Sequence, residues 1–481
     1  MSLRNQVPEQ LATYEDPVLG INLRASEEDL IVRLRGVRGG EARLMQNMIY
    51  DGGTRSRFGS SRITPVQIAA TRRVRGGHKF YFGGVNPTSR RLIAYSNNIS
   101  HISDGGNETV LTSGMTNDLD THFNTWSITD KVYIGNITDT LRSWDGTTFA
   151  TVSGTNIPVA RTGTINVLDR MMCITANGIE RTNPRVDNVW SSNSAWATFR
   201  PARPGLFTAI HPFNVRGADT FYHGAIALQA QGYYVITGTN YGDDVTSITR
   251  PVEEDSAILL LDPNVGTSSP YSVATVPGVG IFWFTSDLNV YLLPEGSLVG
   301  GYVGDKLQSH VSTLGIESTN TAALGQVWMT YFDRYLMLGI PMGSDTFSSV
   351  QFWLDVRSMI QHPERGPVWY GPMVGQFLSR CWSETQNGEF RLSGGEGNPS
   401  TGVFVYSLRV PARFTDAVGA VDNNISCIYQ TPFADFGAAS RLKYVRAINL
   451  DLQLATASTP TVSVYDLDGL VESGLTVEAV V

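Results

Sequence analysis

The stretches "LIAYSNNISHISDG", "KVYIGNITDTLRSWDG" and "RMMCITANGIERTNP" begin at residues 92, 131 and 170, a constant spacing of 39. Each is an apolar strand, a polar turn of two or three residues and a second strand, and the first two end in the turn dipeptide Asp-Gly. Further copies are more widely spaced: "GIFWFTSDLNVYLLPEG" near 280, "RYLMLGIPMG" near 334 with its partner "SVQFWLDV", and "EFRLSGGEGNPSTGVFVYSL" near 389. A hairpin of this kind cannot bury both faces alone, so a chain made of such units has to stack them. A period of about 40–50 residues with room for four strands per unit predicts an all-β fold, a β-propeller. Six or seven blades are expected over residues 65 to 410. An array of two-sheet sandwiches would alternate in the same way.

Helix signals are scarce, because Gly or Pro interrupts most windows; "ASEEDLIVRLRGV" and "GDKLQSHVSTL" (304–314) are the best candidates. The 48 glycines and the low charged content of 17% suit short strands joined by tight turns. The period fails between about 200 and 277, where "RPARPGLFTAIHPF" is irregular and "ITGTNYGDDVTSITRPVEEDSAILLLDP" reads as an acidic insertion. After 410 strict alternation in "AASRLKYVRAINLDLQL" and "PTVSVYDLDGL" predicts a small antiparallel module. The expected organisation is therefore an N-terminal arm and hairpin (1–64), a propeller body (65–410) with an insertion around 200–277, and a C-terminal antiparallel β module (411–481).

Charge is unevenly distributed. Residues 24 to 91 carry a surplus of nine positive charges, almost all of them arginine, whereas the whole chain has a net charge of −8. That balance argues against a general nucleic-acid coat. No run approaches the ~20 apolar residues that span a bilayer, and the first ten residues lack the apolar core of a signal peptide. The three cysteines, Cys173, Cys381 and Cys427, are widely spaced within apolar runs, which predicts buried thiols in a reducing compartment.

The stretch "ARLMQNMIYDGGTRSRFGSSRITP" (42–65) reads as a hairpin turning at Asp51, Gly52 and Gly53, with an apolar side and a cationic side that bears Arg55, Arg57 and Arg62. Arginine's planar fork pairs bidentately with carboxylates and phosphates, so a cluster of this density predicts an intermolecular contact.

Signals for catalysis are weak. The glycosidase-type turn repeat needs Ser/Thr-x-Asp-x-Gly-x-x-aromatic; "SWDGTTF" (143–149) lacks one residue of it, and "SDGGNE" misses as well. There is no Gly-x-Ser-x-Gly elbow, no phosphate-binding Walker loop and no His-Glu-x-x-His. The seven histidines are scattered without metal-ligand spacing. "YDLDGL", with Asp466 and Asp468, lacks most ligands of a calcium loop and reads as a turn. The acidic group Asp243, Asp244, Glu253, Glu254 and Asp255 reads as a solvated loop by default, or as the lining of an aqueous channel. Neither a catalytic centre nor a metal or other cofactor is expected.

In order, "DPVLGINLRASEEDL", "ARLMQNMIYDGGTRSRFG", "GVGIFWFTSDLNVYLLPEGSLVGGYVGDKL" and "FWLDVRSMIQHPERGPVWYGPM" resemble the signature of tail nozzle proteins of short-tailed bacteriophages, also called tail hub or packaged-DNA stabilisation proteins. The likeness touches most of the chain except 200–277. It implies a structural virion protein, made in the bacterial host cytoplasm and built into the viral tail. Six copies would form a ring at the distal end of the portal–adaptor assembly, retaining packaged double-stranded DNA and conducting it out without sequence recognition. Its implied partners are five further copies, the adaptor protein, and tail fibre, spike or needle proteins. On this resemblance Arg55, Arg57, Phe58 and Arg62 would dock on the adaptor and Arg72, Arg73 and Arg75 would meet a neighbouring copy; the acidity of the 236–277 segment and its break with the repeat make it the candidate for a loop that narrows the channel as a gate. An acidic lumen suits a conduit, because phosphate-binding sites would slow passage of DNA. Two other readings compete: a tail-associated propeller that binds or depolymerises glycans, and a free-standing ligand-binding propeller of a host cell.

Overall fold

A computed structural model describes residues 19–24, 41–42, 44–51, 54–83, 88–167, 169–190, 205–216, 221–237, 257–309, 315–386, 389–411, 413–430, 461–466 and 469–476. Its largest feature is a ring of seven antiparallel sheets, a seven-bladed β-propeller. In six blades the chain meanders from an inner first strand outward, so neighbours in sequence are neighbours in the sheet, the third blade with three strands among the described residues; the seventh does so for three strands and takes its fourth from the N-terminal segment. The first strands are Val74–Phe82, His122–Trp126, Thr164–Val167, Phe207–Arg216, Val273–Val276, Trp328–Phe332 and Leu378–Gln386. The first of these lies beside both the second and the last, which closes the circle.

The repeated hairpins are the second and third strands of their blades. Those strands are sandwiched between neighbouring sheets, which is why they read as continuous apolar runs; Arg170–Thr175, Tyr335–Ile340 and Val350–Asp355 are buried throughout. The core accordingly consists of layers between blades. Phe80 and Leu92 of the first blade meet Val132 and Trp144 of the second; Tyr133 and Trp126 of the second meet Met171 and Cys173 of the third. At the closure Trp382 of the seventh blade packs on Val74 and Ile93 of the first. Gly77 is required there, because a Cβ would fall 2.1 Å from the Trp382 ring.

Three expectations are corrected. The stretch around 200–277 is not an irregular insertion: Phe207–Arg216, Phe221–Gln229, Tyr233–Thr237 and Ala257–Asp262 form a regular fourth blade, and Val273–Val276 opens the fifth. Its long separation between third and fourth strands broke the period. The boundary at 64 is also not a domain boundary. Ser61–Arg62 pairs with Tyr406 and Ser407 as the outermost strand of the seventh blade, so the N-terminal segment completes the ring. Finally, Cys173 is buried but Cys381 is half-buried and Cys427 exposed; all three are free thiols.

The hairpin near residue 50 is present, with Met48–Tyr50 paired to Thr54–Ser56; Gly52 and Gly53 lie outside the described residues. Together with Leu44–Gln46, which pairs with Ile428–Gln430, it forms part of a small platform against the propeller. The platform is tied to the outer strand of the sixth blade, Trp369–Met373: Ile21 N–H donates to the Trp369 carbonyl (2.8 Å) and Asn47 N–H to that of Pro372 (3.1 Å). A second hairpin, Thr415–Val418 with Val421–Asn424, joins the platform. Gly59 must be glycine at this junction, because a Cβ would fall 2.0 Å from the Thr415 carbonyl oxygen. Thr461–Asp466 pairs with Gly469–Thr476; the remaining strands expected at 438–454 and the turn residue Asp468 lie outside the described residues. Of the helical candidate at 304–314 the described residues 304–309 hold a 3-10 turn, Asp305–Leu307; residues 310–314 and the candidate at 25–37 lie outside the described residues.

Candidate functional site

Among the described residues, two of the places that concentrate polar side chains hold the residues expected at contacts: one mouth of the propeller axis, and the seam where the N-terminal segment enters the seventh blade.

At the mouth, segments that begin the first strands of several blades converge. Tyr271, just before the fifth blade, reaches across the axis, and its hydroxyl donates to the Thr121 carbonyl (2.9 Å) at the start of the second blade. The His122 ring stacks on the Tyr271 ring at 4.2 Å and 6°. The Arg380 guanidinium, from the first strand of the seventh blade, lies 3.5 Å from the Tyr271 centroid. Two planar groups so close to one ring must take opposite faces, so Tyr271 is the middle of a three-layer stack joining blades five, two and seven. Burial, reinforced by the charge of Arg380, depresses His122 to about 3, with Asp120 opposing; the imidazole is therefore neutral at physiological pH. Burial likewise raises the Tyr271 phenol well above its ordinary value. The result is a stacked, hydrogen-bonded plug across the axis.

Around this plug sit four arginines and two aspartates. Arg72 pairs with Asp118 at 2.9 Å, and Arg75 reaches the same carboxylate at 4.0 Å. Arg75 also approaches Asp120 at 3.6 Å, which Arg380 shares at 3.2 Å. Gln326 donates to the other Asp120 oxygen, at 3.2 Å. Arg73 donates to the Thr346 carbonyl at 2.8 Å. Burial lowers the Arg73 guanidinium to about 10, helped by Arg75 and Arg380 and opposed by Asp120 and Asp118. Arg72, Arg73 and Arg75, the residues expected at a contact between copies, thus belong to the axial mouth of their own chain.

At the seam the expected docking residues are engaged within the chain. Arg57 is 2% exposed. It donates to both oxygens of Asp416, to Oδ1 at 3.0 Å, and also to the carbonyls of Val374 and Phe58 and to Asn47 Oδ1. Its burial is incompatible with adaptor docking, and its role is to hold the arm to the 415–424 hairpin. Arg55 pairs with Asp51 and lies over the Phe58 ring at 4.6 Å; Arg62 pairs with Asp422 at 3.1 Å and donates to the Gly419 carbonyl. Phe58 is half-buried against Phe414. The cationic side of the hairpin is thus neutralised internally. The platform's exposed residues include the apolar Phe414 (40%), Val421 (59%) and Ile428 (46%) beside the polar Asp422, Asn423, Asn424 and Ser426.

Sequence reasoning missed a buried acid here. Glu396 is 1% exposed; it accepts from Tyr406 Oη at 2.7 Å and Asn398 N–H at 2.9 Å, and the Tyr406 hydroxyl in turn accepts from Gly419 N–H at 2.9 Å. Burial pushes Glu396 up to about 7, against the opposing hydrogen bonds. The signal for it, a Glu between glycines in "SGGEGN", has no distinguishing spacing. Asp243, Asp244, Glu253, Glu254 and Asp255 lie outside the described residues. Among the described residues no group of three or more His, Cys, Asp or Glu is arranged to hold a metal ion, and no helix is long and apolar enough to cross a membrane.

By sequence, no family model and no curated protein matches the chain. Solved structures similar to it include YCF48 from Cyanidioschyzon merolae (10% identity, 70% of this chain and 98% of that one, TM-score 0.38) and YCF48 bound to D1 peptide (10%, 73% and 99%, 0.39). A third is BBS1N in complex with ARL6DN (9%, 77% and 99%, 0.41). The protein is a β-propeller by its own strand order, and these distant likenesses add nothing about its activity.

Proposed function

We propose that this chain is a structural protein of a short-tailed phage tail, a nozzle or hub subunit whose work is mechanical. The observation that carries this reading is the way the motif-bearing N-terminal segment is used. Ile21 and Asn47 strap it to the sixth blade, Arg57 locks it to Asp416, and Ser61–Arg62 closes the ring. A segment so firmly tied to the propeller is suited to transmitting load from a neighbour to the whole barrel. The plug formed by Tyr271, His122 and Arg380 favours the same reading, because it fills the axial mouth with the chain's own side chains. In this proposal DNA would pass through a lumen enclosed by several copies, not along the axis of one propeller.

The docking chemistry differs from the one first expected. With Arg57 buried and Arg55 and Arg62 paired, the adaptor would be met by the exposed residues of the platform, Phe414, Val421 and Ile428 together with the polar side chains between them and the paired arginines, in the mixed chemistry of a non-obligate interface. Imaging assembled particles with the chain labelled tests the proposal: the expected result is a sixfold ring below the adaptor. Label elsewhere on the particle, or clearing of a surface glycan by the purified protein, would overturn it.

A further inference from the structure

We infer that the axial mouth binds a small oxyanion, a phosphate or carboxylate group, through the four arginines that surround the Tyr271 plug. The argument begins with charge balance at short range. Asp118 is shared between Arg72 and Arg75, and Asp120 between Arg75 and Arg380, with Gln326 occupying one of its oxygens. Two carboxylates therefore serve four guanidiniums, and Arg73 donates to a neutral carbonyl. A surplus of two positive charges is held in a partly desolvated cluster, where like charges repel more strongly than in water. Folding alone gives no reason to gather them, since the chain as a whole is acidic at −8.

Hydrogen-bonding capacity points the same way. Arg75 Nε and the Nε and Nη2 of Arg380 are buried with no hydrogen-bond acceptor among the described residues, outnumbering the one buried acceptor beside them without a donor, Asp120 Oδ1. The Arg380 side chain is 4% exposed and Arg75 16%, while Arg72 is 42% exposed. The arrangement is layered: two guanidiniums fixed deep by Asp120 and the Tyr271 ring supply a standing positive field, while Arg72, paired with Asp118, and the half-buried Arg73, whose one bond is to a neutral carbonyl, offer their remaining N–H groups to an incoming anion. Planar, bidentate donors of this kind match phosphate and carboxylate geometry. The plug beneath supplies a rigid floor, because Tyr271 is held on both faces and by its hydroxyl.

The test is calorimetric titration of the full chain with inorganic phosphate and, separately, with citrate, at constant ionic strength set by chloride. Saturable one-site binding of at least one anion is expected, and the tighter of the two identifies the head group. Arg73→Ala should weaken it at least tenfold and Arg73→Lys less than that. Asp118→Asn should tighten it several-fold by removing a competing carboxylate. Arg142→Ala, which removes the same charge far from the mouth, should leave it unchanged. Absence of saturable heat with both anions overturns the inference. So does binding that survives Arg73→Ala, or an equal loss in Arg142→Ala. The Asp118→Asn arm keeps the question decidable if an arginine variant fails to fold, since unchanged or weaker binding there also counts against the site.

Discussion

Arg57 and Asp416, 359 positions apart in the chain, form a buried bidentate ion pair with a 3.0 Å bond between Arg57 Nη1 and Asp416 Oδ1. The two residues come from the N-terminal segment and from the hairpin that follows the last blade. Their pairing makes the two ends of the chain one structural unit against the propeller. Removing one partner leaves the other charged and buried, a loss of about 3–5 kcal/mol. Asp416→Ala is therefore expected to lower stability by that amount in urea unfolding. Glu389→Ala, at the exposed pair with Arg391, should cost about 0–1 kcal/mol.

The axial plug separates two effects in one residue. Tyr271→Phe keeps the stack with His122 and Arg380 but loses the hydroxyl bond to Thr121, an expected cost of about 1 kcal/mol. Tyr271→Ala removes the whole ring and leaves a cavity between three blades, with an expected loss of about 3–5 kcal/mol. Thermal unfolding of both variants should rank them in that order. Equal losses would mean that the ring contributes nothing beyond its hydroxyl.

Glu396 gives the seam a dependence on pH. Its folded pKa, about 7, is raised above the ordinary 4.5 by burial, so the folded state favours the neutral acid. Its stabilising contribution is complete below about pH 4.5 and is lost as pH rises through 7. Across that window the loss is on the order of 3 kcal/mol. Glu396→Gln, which stays neutral, should therefore lose less stability than the parent between pH 5 and 8. Urea midpoints at the two pH values check this, and parallel shifts in both proteins would count against it.

Ring closure by Ser61–Arg62 predicts the effect of truncation. A chain beginning at residue 70 keeps the first three strands of the seventh blade but loses the outermost one, together with the Arg57–Asp416 pair. Such a chain should unfold at lower temperature and with the seventh blade exchanging its amide hydrogens ahead of the third. Uniform protection across all blades in hydrogen exchange would refute the closure role.

Much of the propeller was legible because the second and third strands of six blades are buried on both faces, and burial on both faces writes itself as an apolar run such as "RYLMLGIPMG". The first strands were not legible. Val74–Phe82 ("VRGGHKFYF") and Leu378–Gln386 ("LSRCWSETQ") serve neighbouring blades and the axis at once, and so mix glycine, charge and aromatic residues. The fourth blade escaped notice, although "FYHGAIALQAQGYYVIT" has the same hairpin form, because the residues after Thr237 broke the spacing. At the mouth, Arg72, Arg73 and Arg75 stood out by density alone. Their association with Arg380 follows from the contact of the first blade with the last, which local sequence does not record. Tyr271, in "SSPYSVAT", carried no signal at all.

The outermost strand of the seventh blade has a consequence for synthesis. Ser61–Arg62 leaves the ribosome early, yet its partner Val405–Leu408 is translated only some three hundred and forty residues later. At elongation rates of about 5–20 residues per second, that interval is on the order of tens of seconds. For that time the nascent chain carries a strand with its edges unmatched, a target for chaperones and for mispairing with another polysome's product.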